Sequence, residues 1–492
     1  STLDSAASAA STLNITAGSG NIDFDQAVGN TRALGSVRVD AAATLTADNI
    51  VKAASFTQTN GSVLTQFDGA VTLSGAFDFT GTALTMNGHG NNIGTTMEVT
   101  NAGMFTTGDI GGTTVNGQFT QNGQGDSTLG ANMISTTAGI SFATNVILNS
   151  TNAVTLYTGE GDDDNFRIGG TLTRTNSESF AVDAGALGDV TFEGAVDLGT
   201  GGLTIIDAAV ARFDQAVDVG TFTQNDGTTS TTFKGQVATT SNFIFTGQAL
   251  TFEVAGNTIG DAMTVTNAGE FKTLDAADIT VTNAFQQLGQ GNTTLGDDLV
   301  STSGLVKFTT IVTLDSTDLV KIATGEGTDD DLTIGGSLTS NTDESLTVDA
   351  GESGDIRVTG PVNLGAGKFT ITDAAIVDFG NTFTAGSFAQ IDGTTSTTFN
   401  NTVDTRGQID ASGAPANVNG IDITGNNVRF KAGVTTTGSG AVTIANAGQL
   451  TIDNNANFSV NGKFDQVGNG TTVLGGNITT ANADISFAKG VT

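Results

Sequence analysis

The sequence predicts an all-β protein folded as a β-solenoid, and three observations support this prediction. A short phrase begins at positions 55, 221 and 387, which is a constant step of 166 positions. Within that long repeat, aromatic or apolar anchors recur about every 21 residues. Runs of Thr, Ser, Val, Ile and Phe are bounded by Gly, Asn and Asp, the composition typical of strands and turns. Such regular periods indicate an array of stacked turns.

The long repeat divides the predicted solenoid, which we expect to be continuous over residues 1–492, into three copies. The recurring phrase occupies Ser55–Phe67, Thr221–Phe233 and Ser387–Phe399. Its closing Phe is one of the anchors, and its Asn-Gly or Asp-Gly pair predicts a corner. The copies are expected at 11–177, 178–343 and 344–492. The third copy has a 13-residue insertion near 400–444, which includes Pro415, and it is truncated at its end.

The finer period comes from a short motif in which an apolar residue precedes an aromatic or apolar residue by two positions. Ile140 and Phe142 form one example, and the later anchors Phe192, Phe213 and Phe233 follow one another at nearly equal intervals. A period of two indicates a strand with both side chains on one face. One slice cannot bury its apolar side chains alone, so we expect Phe to stack on Phe or Val of the next turn. Some 23 slices at about 4.8 Å each predict an elongated rod about 110 Å long.

Composition and charge exclude several classes of function. The chain has 17 Lys and Arg against 50 Asp and Glu, a net charge of −33, which disfavours nucleic acid because binding to phosphates needs basic residues. The acidic balance instead favours solubility and association with divalent cations. There is no cysteine, so disulfides and thiolate metal sites are excluded. No apolar run approaches the roughly 20 residues that a membrane helix needs.

Several phrases near the carboxyl end resemble a known family. The segments Ala445–Ile452, Phe464–Gly470, Gly476–Thr480 and Asp484–Phe487 are similar in wording to filamentous-haemagglutinin-like and autotransporter-type giant surface proteins of bacteria. The resemblance implies a right-handed parallel β-helix, for which the spacing of the anchors indicates about 21 residues per turn. It also implies an extracellular location at the bacterial cell surface. The amino-terminal secretion domain of that family is not recognisable in this sequence.

Two acidic loops are the sharpest candidates for a chemical site. Thr158–Gly170 and Thr324–Gly336 both contain a Thr-Gly-Glu-Gly phrase followed by clustered acids. Carboxylates on a Gly-flanked turn are the hard oxygen ligands that Ca²⁺ takes. The spacing is not that of an EF-hand, and the alternative is a solvated acidic turn that closes one slice. The candidate calcium ligands are Glu160, Asp162, Asp163, Asp164, Glu326, Asp329, Asp330 and Asp331.

Other motifs favour structural roles. The threonines of Thr228–Thr232 could form an ice-binding array, but Thr-x-Thr phrases are scattered and suit the outer face of a strand. The lone histidine, His89, lies between two glycines and is expected in a loop. The Phe anchors are expected in the core, because exposed sugar platforms usually use Trp and Tyr. The chain lacks a nucleophile elbow, a Walker loop and a Cys/His cluster, so we expect no enzymatic activity. Ca²⁺ at the acidic loops is the one candidate cofactor.

These observations predict a structural segment of an extracellular surface fibre, filament or giant adhesin. Neither end carries an obvious polar cap, so we expect further repeats of the chain, or another copy, to continue the stack. The expected partner is therefore the protein itself, assembled end to end or laterally. The alternative is an adhesin shaft that contacts glycans or host surfaces through loops such as the one around Pro415.

Overall fold

The computed structural model describes residues 2–6, 10–406 and 420–492, and throughout these ranges the regular structure is β-strand without any helix. The predicted all-β class is therefore confirmed. Most strands are three to five residues long and are separated by tight turns. Pro415 and the central part of the predicted insertion lie outside the described residues.

The strands up to residue 240 are mostly short, and the longest of them has 14 residues. In chain order they are β1 Thr12–Thr16, β2 Ile22–Phe24, β3 Leu34–Ala47, β4 Val51–Gln58, β5 Gly61–Phe67, β6 Val71–Leu73, β7 Phe77–Gly81, β8 Ala83–Met86, β9 Asn91–Ile93, β10 Met97–Asn101, β11 Phe105–Thr107, β12 Thr113–Val115, β13 Phe119–Gln121, β14 Ser127–Leu129, β15 Met133–Ser135, β16 Ile140–Phe142, β17 Val146–Leu148, β18 Val154–Tyr157, β19 Phe166–Ile168, β20 Leu172–Arg174, β21 Phe180–Asp183, β22 Val190–Phe192, β23 Val196–Asp197, β24 Leu203–Ile205, β25 Val210–Phe213, β26 Val217–Val219, β27 Phe222–Gln224, β28 Ser230–Phe233 and β29 Val237–Thr239.

The strands after residue 240 have two to five residues each. In chain order they are β30 Phe243–Gly247, β31 Leu250–Phe252, β32 Asn257–Ile259, β33 Met263–Asn267, β34 Phe271–Thr273, β35 Ile279–Val281, β36 Phe285–Gln287, β37 Thr293–Leu295, β38 Leu299–Ser301, β39 Val306–Phe308, β40 Val312–Leu314, β41 Val320–Ala323, β42 Leu332–Ile334, β43 Leu338–Ser340, β44 Leu346–Asp349, β45 Ile356–Val358, β46 Val362–Asn363, β47 Lys368–Ile371, β48 Ile376–Phe379, β49 Phe383–Ala385, β50 Ser387–Gln390, β51 Ser396–Phe399, β52 Val403–Thr405, β53 Ile421–Gly425, β54 Asn427–Phe430, β55 Val434–Thr436, β56 Val442–Asn446, β57 Gln449–Ile452, β58 Phe458–Val460, β59 Phe464–Gln466, β60 Thr471–Leu474, β61 Ile478–Thr480 and β62 Ile485–Phe487.

The chain consists of two compact units. The first comprises Ser1–Thr240 with Ile244–Gly247, and the second comprises Ser241–Phe243 with Gln248–Thr492. From β5 onward a strand of either unit pairs in parallel with the third strand after it, as in the series β22, β25, β28 of the first unit and β45, β48, β51 of the second. Three strands therefore complete one turn, and each unit is a parallel β-solenoid. The predicted solenoid is confirmed.

The register shows how long each turn is. Phe192 pairs with Phe213, which pairs with Phe233, so these turns have the length that the spacing of the anchors predicts. The turn on which Ile140 pairs with Phe166 is longer. Its additional residues belong to the acidic loop between β18 and β19. Insertions of this kind leave the strand register unchanged because they are confined to a corner.

Inward-facing side chains of successive turns form the core. Strand β22 has the alternating burial of a strand with one inner face, and its Phe192 is buried. The ring of Phe213 lies parallel to those of Phe192 and Phe233, with centroids 5.1 and 4.6 Å away. In the second unit, Phe399 stacks in the same way on Phe430, with centroids 5.1 Å apart. The predicted core position of these Phe anchors is confirmed.

Candidate functional site

Each acidic loop is closed by one of its own carboxylates. In the first loop, Gly161 N donates to Asp164 Oδ2 at 2.8 Å, and Asp164 N donates to Gly161 O at 3.0 Å. In the second, Gly327 N donates to Asp330 Oδ2 at 2.8 Å. A Cβ on Gly159 would lie 2.0 Å from Asp164 Oδ2, so only glycine leaves room for this carboxylate. The first glycine of the Thr-Gly-Glu-Gly phrase thus makes room for the carboxylate that caps the loop.

The other predicted calcium ligands are distributed around the two loops. Those exposed to solvent are Glu160, Asp162, Asp163, Glu326 and Asp329. Asp331 is half-buried, and its Oδ1 accepts a hydrogen bond from Asp355 N at 2.9 Å. Asp164, Asp330 and Asp331 therefore already bind backbone N–H groups. Calcium binding by the exposed acids stays a prediction.

A different group of acids brings three carboxylates closest together. Among residues 2–6, 10–406 and 420–492, only Asp23, Asp25 and Asp48 place three carboxylates with ligand atoms all within 4.8 Å of one another. All three side chains are exposed, and the negative charge of Asp25 raises the pKa of Asp23. Asp48 is distant from the other two in the sequence, and the pairing of β2 with β3 brings all three to adjacent turns.

Glu160 also belongs to a series of acids on successive turns of the first unit, which we name the first column: Glu160, Asp183, Asp207 and Asp226. Ala184 N donates to Asp207 O at 3.0 Å, and Thr228 N donates to Ala208 O at 3.1 Å, which stacks these corners on one another. The second unit repeats the arrangement at the step of the long repeat. Its members, the second column, are Glu326, Asp349, Asp373 and Asp392.

One acid in each column is half-buried, with one of its two carboxylate oxygens buried. The Oδ1 atoms of Asp207 and Asp373 are buried and accept no hydrogen bond from the described residues. Burial raises the pKa of both, and the negative charges of Asp226 and Asp392, respectively, raise it further. By contrast, Asp226 Oδ1 accepts a hydrogen bond from Gly227 N at 2.7 Å. Local sequence motifs do not reveal these columns, because their members lie one whole turn apart. Their recurrence at the step of the long repeat is the signal in the sequence that could identify them.

A second group of acids is held in the ionised form. Hydrogen bonds from the Thr151 backbone N–H and the Ser150 hydroxyl lower the pKa of Asp109. The Thr317 hydroxyl and backbone N–H lower the pKa of Asp275, the equivalent residue of the next long repeat. These carboxylates join loops 41 or 42 residues apart in sequence and therefore stabilise the corners.

The recurring phrase contains a buried polar contact that sequence reasoning did not identify. Thr65 Oγ1 donates to Gln58 Oε1 at 2.9 Å, and the two copies of this contact, Thr231 to Gln224 and Thr397 to Gln390, measure 2.7 Å. All these residues are nearly inaccessible to solvent. In each copy the Gln and the Thr lie on consecutive strands, so the contact links one strand to the next across the corner.

The described residues contain no helix with the length and apolar character needed to cross a membrane. No family model and no solved structure matches the chain. The chain is 27% identical over 418 residues to a protein of Rickettsia rickettsii named outer membrane protein A. The similarity covers 81% of this chain and 16% of that protein, so the chain spans about one sixth of the length of its curated relative.

Proposed function

We propose that this chain is a non-catalytic structural segment of a bacterial surface protein. The parallel strand ladder of each unit carries the proposal, together with the similarity to a protein named as an outer membrane protein. A ladder of this kind converts chain length into physical length, at about 4.8 Å per turn of roughly 21 residues. Such a segment spaces other parts of a protein away from the cell surface.

The packing of each unit supports this role. The inner positions of the strands are filled by stacked Phe, Leu, Ile and Val side chains, so the interior is a solid core. The outward positions are dominated by small polar residues and acids. Every turn also pairs its backbone with the turns before and after it, and stability therefore grows with each added turn. These properties favour a spacer that stays rigid and soluble when it is long.

A deletion in the native protein tests the proposal. Removing residues 178–343 deletes eight turns while leaving the strand register intact. The distance between the membrane and an epitope on the outer side of the deletion should fall by about 38 Å, measured by electron cryotomography with immunogold labelling. Labelling confined to the cell interior, or an unchanged distance, would contradict the proposal.

The adhesin alternative has its own outcome. Native protein that lacks residues 407–419 should keep its surface labelling and its length if the segment is a spacer. Binding to a glycan array that is lost with this deletion would instead identify the segment as an adhesin shaft. The undeleted protein is the control for both measurements.

A further inference from the structure

The two columns place like charges together, and among the described residues the charged groups that act on the central acids Asp207 and Asp373 are all acidic. The charged groups that act on Asp207 are Asp226, Asp183 and Glu160. Those that act on Asp373 are Asp392, Glu352 and Asp349. Each of these groups is negative at neutral pH, so each raises the free energy of an ionised carboxylate at the centre.

The hydrogen bonding in the first column leaves one oxygen of Asp207 without compensation. Its carboxylate accepts a hydrogen bond from the Ala208 backbone N–H, yet Oδ1 is buried and accepts none from the described residues. Asp373 has the same arrangement with Ala374. A buried charged oxygen without a donor is destabilising, and protonation of the carboxylate removes that charge.

The repeat shows that these acids occur as a set. In the first copy, the positions equivalent to Asp183, Asp207 and Asp226 are occupied by small or amide residues, namely Ala17, Ala41 and Asn60. In the first copy, the position of the central acid Asp207 is therefore occupied by Ala41, and the position of its neighbour Asp226 is occupied by the amide Asn60. Where the central acid is present, its neighbours on the adjacent turns are also acids. The acids at these three positions therefore occur in the second and third copies and are not required by the solenoid fold itself.

We propose that the two columns are proton-sensitive elements, in which Asp207 and Asp373 take up a proton and thereby lose their repulsion with the acids of the neighbouring turns. Protonation removes the charge of a carboxylate whose Oδ1 is buried and accepts no hydrogen bond from the described residues. Asp207 and Asp373 therefore stabilise their units more in mildly acidic solution than at neutral pH.

The sign of the effect follows from linkage. The folded state holds the pKa of Asp207 and Asp373 above the ordinary value of about 3.9, so between these values the folded state binds more protons than the unfolded state. The stabilisation is fully present below the ordinary pKa of the unfolded chain. It is lost as the pH rises through the raised pKa of the folded state. Acids such as Asp109 and Asp275 have the opposite sign, because their folded pKa is lowered.

The test compares the full chain with the double variant Asp207→Asn and Asp373→Asn at about pH 7.5 and about pH 4.5, in EDTA so that divalent ions are removed. An Asn keeps an acceptor for the Ala208 or Ala374 N–H and donates from Nδ2, as a protonated Asp would. At the higher pH, we expect the Tm of the variant to exceed that of the wild type by about 2 °C or more. This difference should shrink at the lower pH.

The matched control is the double variant Asp109→Asn and Asp275→Asn, which alters two acids that are also equivalent in successive long repeats. This control should unfold at a lower temperature than the wild type at both pH values, because these acids are stabilising when ionised. Hydrogen exchange of peptides covering 203–213 and 369–379, corrected for intrinsic rates, provides a local measurement in the wild type. Protection there should increase on acidification.

Two results would overturn the proposal. One is an Asp207→Asn and Asp373→Asn variant that is less stable than the wild type at about pH 7.5, or whose difference does not depend on pH. The other is exchange protection in these peptides that stays constant or decreases on acidification. Should the double variant not fold, the wild-type exchange measurement alone decides between these outcomes.

Discussion

At the scale of single residues, buried amides organise the corners of both units. Gln121 Nε2 donates to Asn101 Oδ1 at 2.7 Å and to Gly125 O at 2.9 Å, and Gln121 Oε1 accepts from Ala143 N at 3.1 Å. The same amide pair recurs as Gln287 with Asn267 and as Gln466 with Asn446, in each case at 2.7 Å. Each Gln thus satisfies backbone groups that the tight corner would otherwise leave buried without a partner.

We expect Gln121→Ala to destabilise the first unit by about 2–4 kcal/mol, because it leaves buried donors and acceptors unpaired and creates a cavity. The loss is to be measured as a lower urea midpoint, together with faster hydrogen exchange around Asn101. Gln124→Ala is the matched control, since Gln124 is exposed and lies in the same corner, and it should change stability by about 0.5 kcal/mol or less. Equal effects of the two variants would contradict the role of the amide.

The sequence predicts the apolar half of this interior better than the polar half. The sequence predicts that Phe213 is in the core, because its spacing to Phe192 and Phe233 indicates an inner face that is the same on every turn. Gln121 was not identified, because a Gln in a strand normally faces solvent and its burial depends on an Asn of the preceding turn. The environment of the central acid Asp207 cannot be read from its local sequence for the same reason. Its chemistry arises from neighbours on other turns.

At the scale of the structural element, close approach between turns determines where glycine is needed. A Cβ on Gly125 would lie 1.5 Å from Gly103 O, and a Cβ on Gly470 would lie 1.6 Å from Gly448 O. The sequence indicated Gly-rich corners and the length of a turn. It did not show that a turn contains three strands, because strands of three residues are too short to have a distinct periodicity.

Gly470→Ala should therefore disrupt its turn, because the added methyl group meets backbone oxygen that belongs to the preceding turn. We expect a loss of about 3 kcal/mol or more, which places it among strongly destabilising substitutions. Gly490→Ala is the control, since a Cβ there has no heavy atom within 4 Å and the backbone angle is not in the left-handed region. Urea unfolding of the two variants measures the difference, and similar midpoints would contradict the close approach.

At the scale of the whole molecule, like-charge repulsion outweighs ion pairing. The chain carries an excess of 33 negative charges, whereas the described residues form eight ion pairs with largely exposed side chains. An exposed pair contributes about 0–1 kcal/mol, and salt weakens attraction and repulsion alike. Repulsive contacts are more numerous, so screening should produce a net gain in stability.

Raising NaCl from about 0.01 M to about 0.5 M should consequently increase the apparent Tm, because the Debye length shortens from about 30 Å to a few Å. Scanning calorimetry at constant pH measures the change. KCl at the same concentration should have the same effect, since screening depends on ionic strength. A Tm that falls with salt would show that the ion pairs dominate.

Calcium binding by the acidic loops can be separated from this screening, because at about 0.5 M NaCl the general effect of charge is nearly saturated. Adding about 5 mM calcium should then stabilise each loop by about 1 kcal/mol if the dissociation constant is near 1 mM, as in extracellular modules.

The variant for comparison neutralises only the exposed acids and keeps those that cap the loops. Its substitutions are Glu160→Gln, Asp162→Asn, Asp163→Asn, Glu326→Gln and Asp329→Asn. The wild type should gain stability and the variant should not, while a wild type without calorimetric heat or Tm shift would show that these loops are solvated turns.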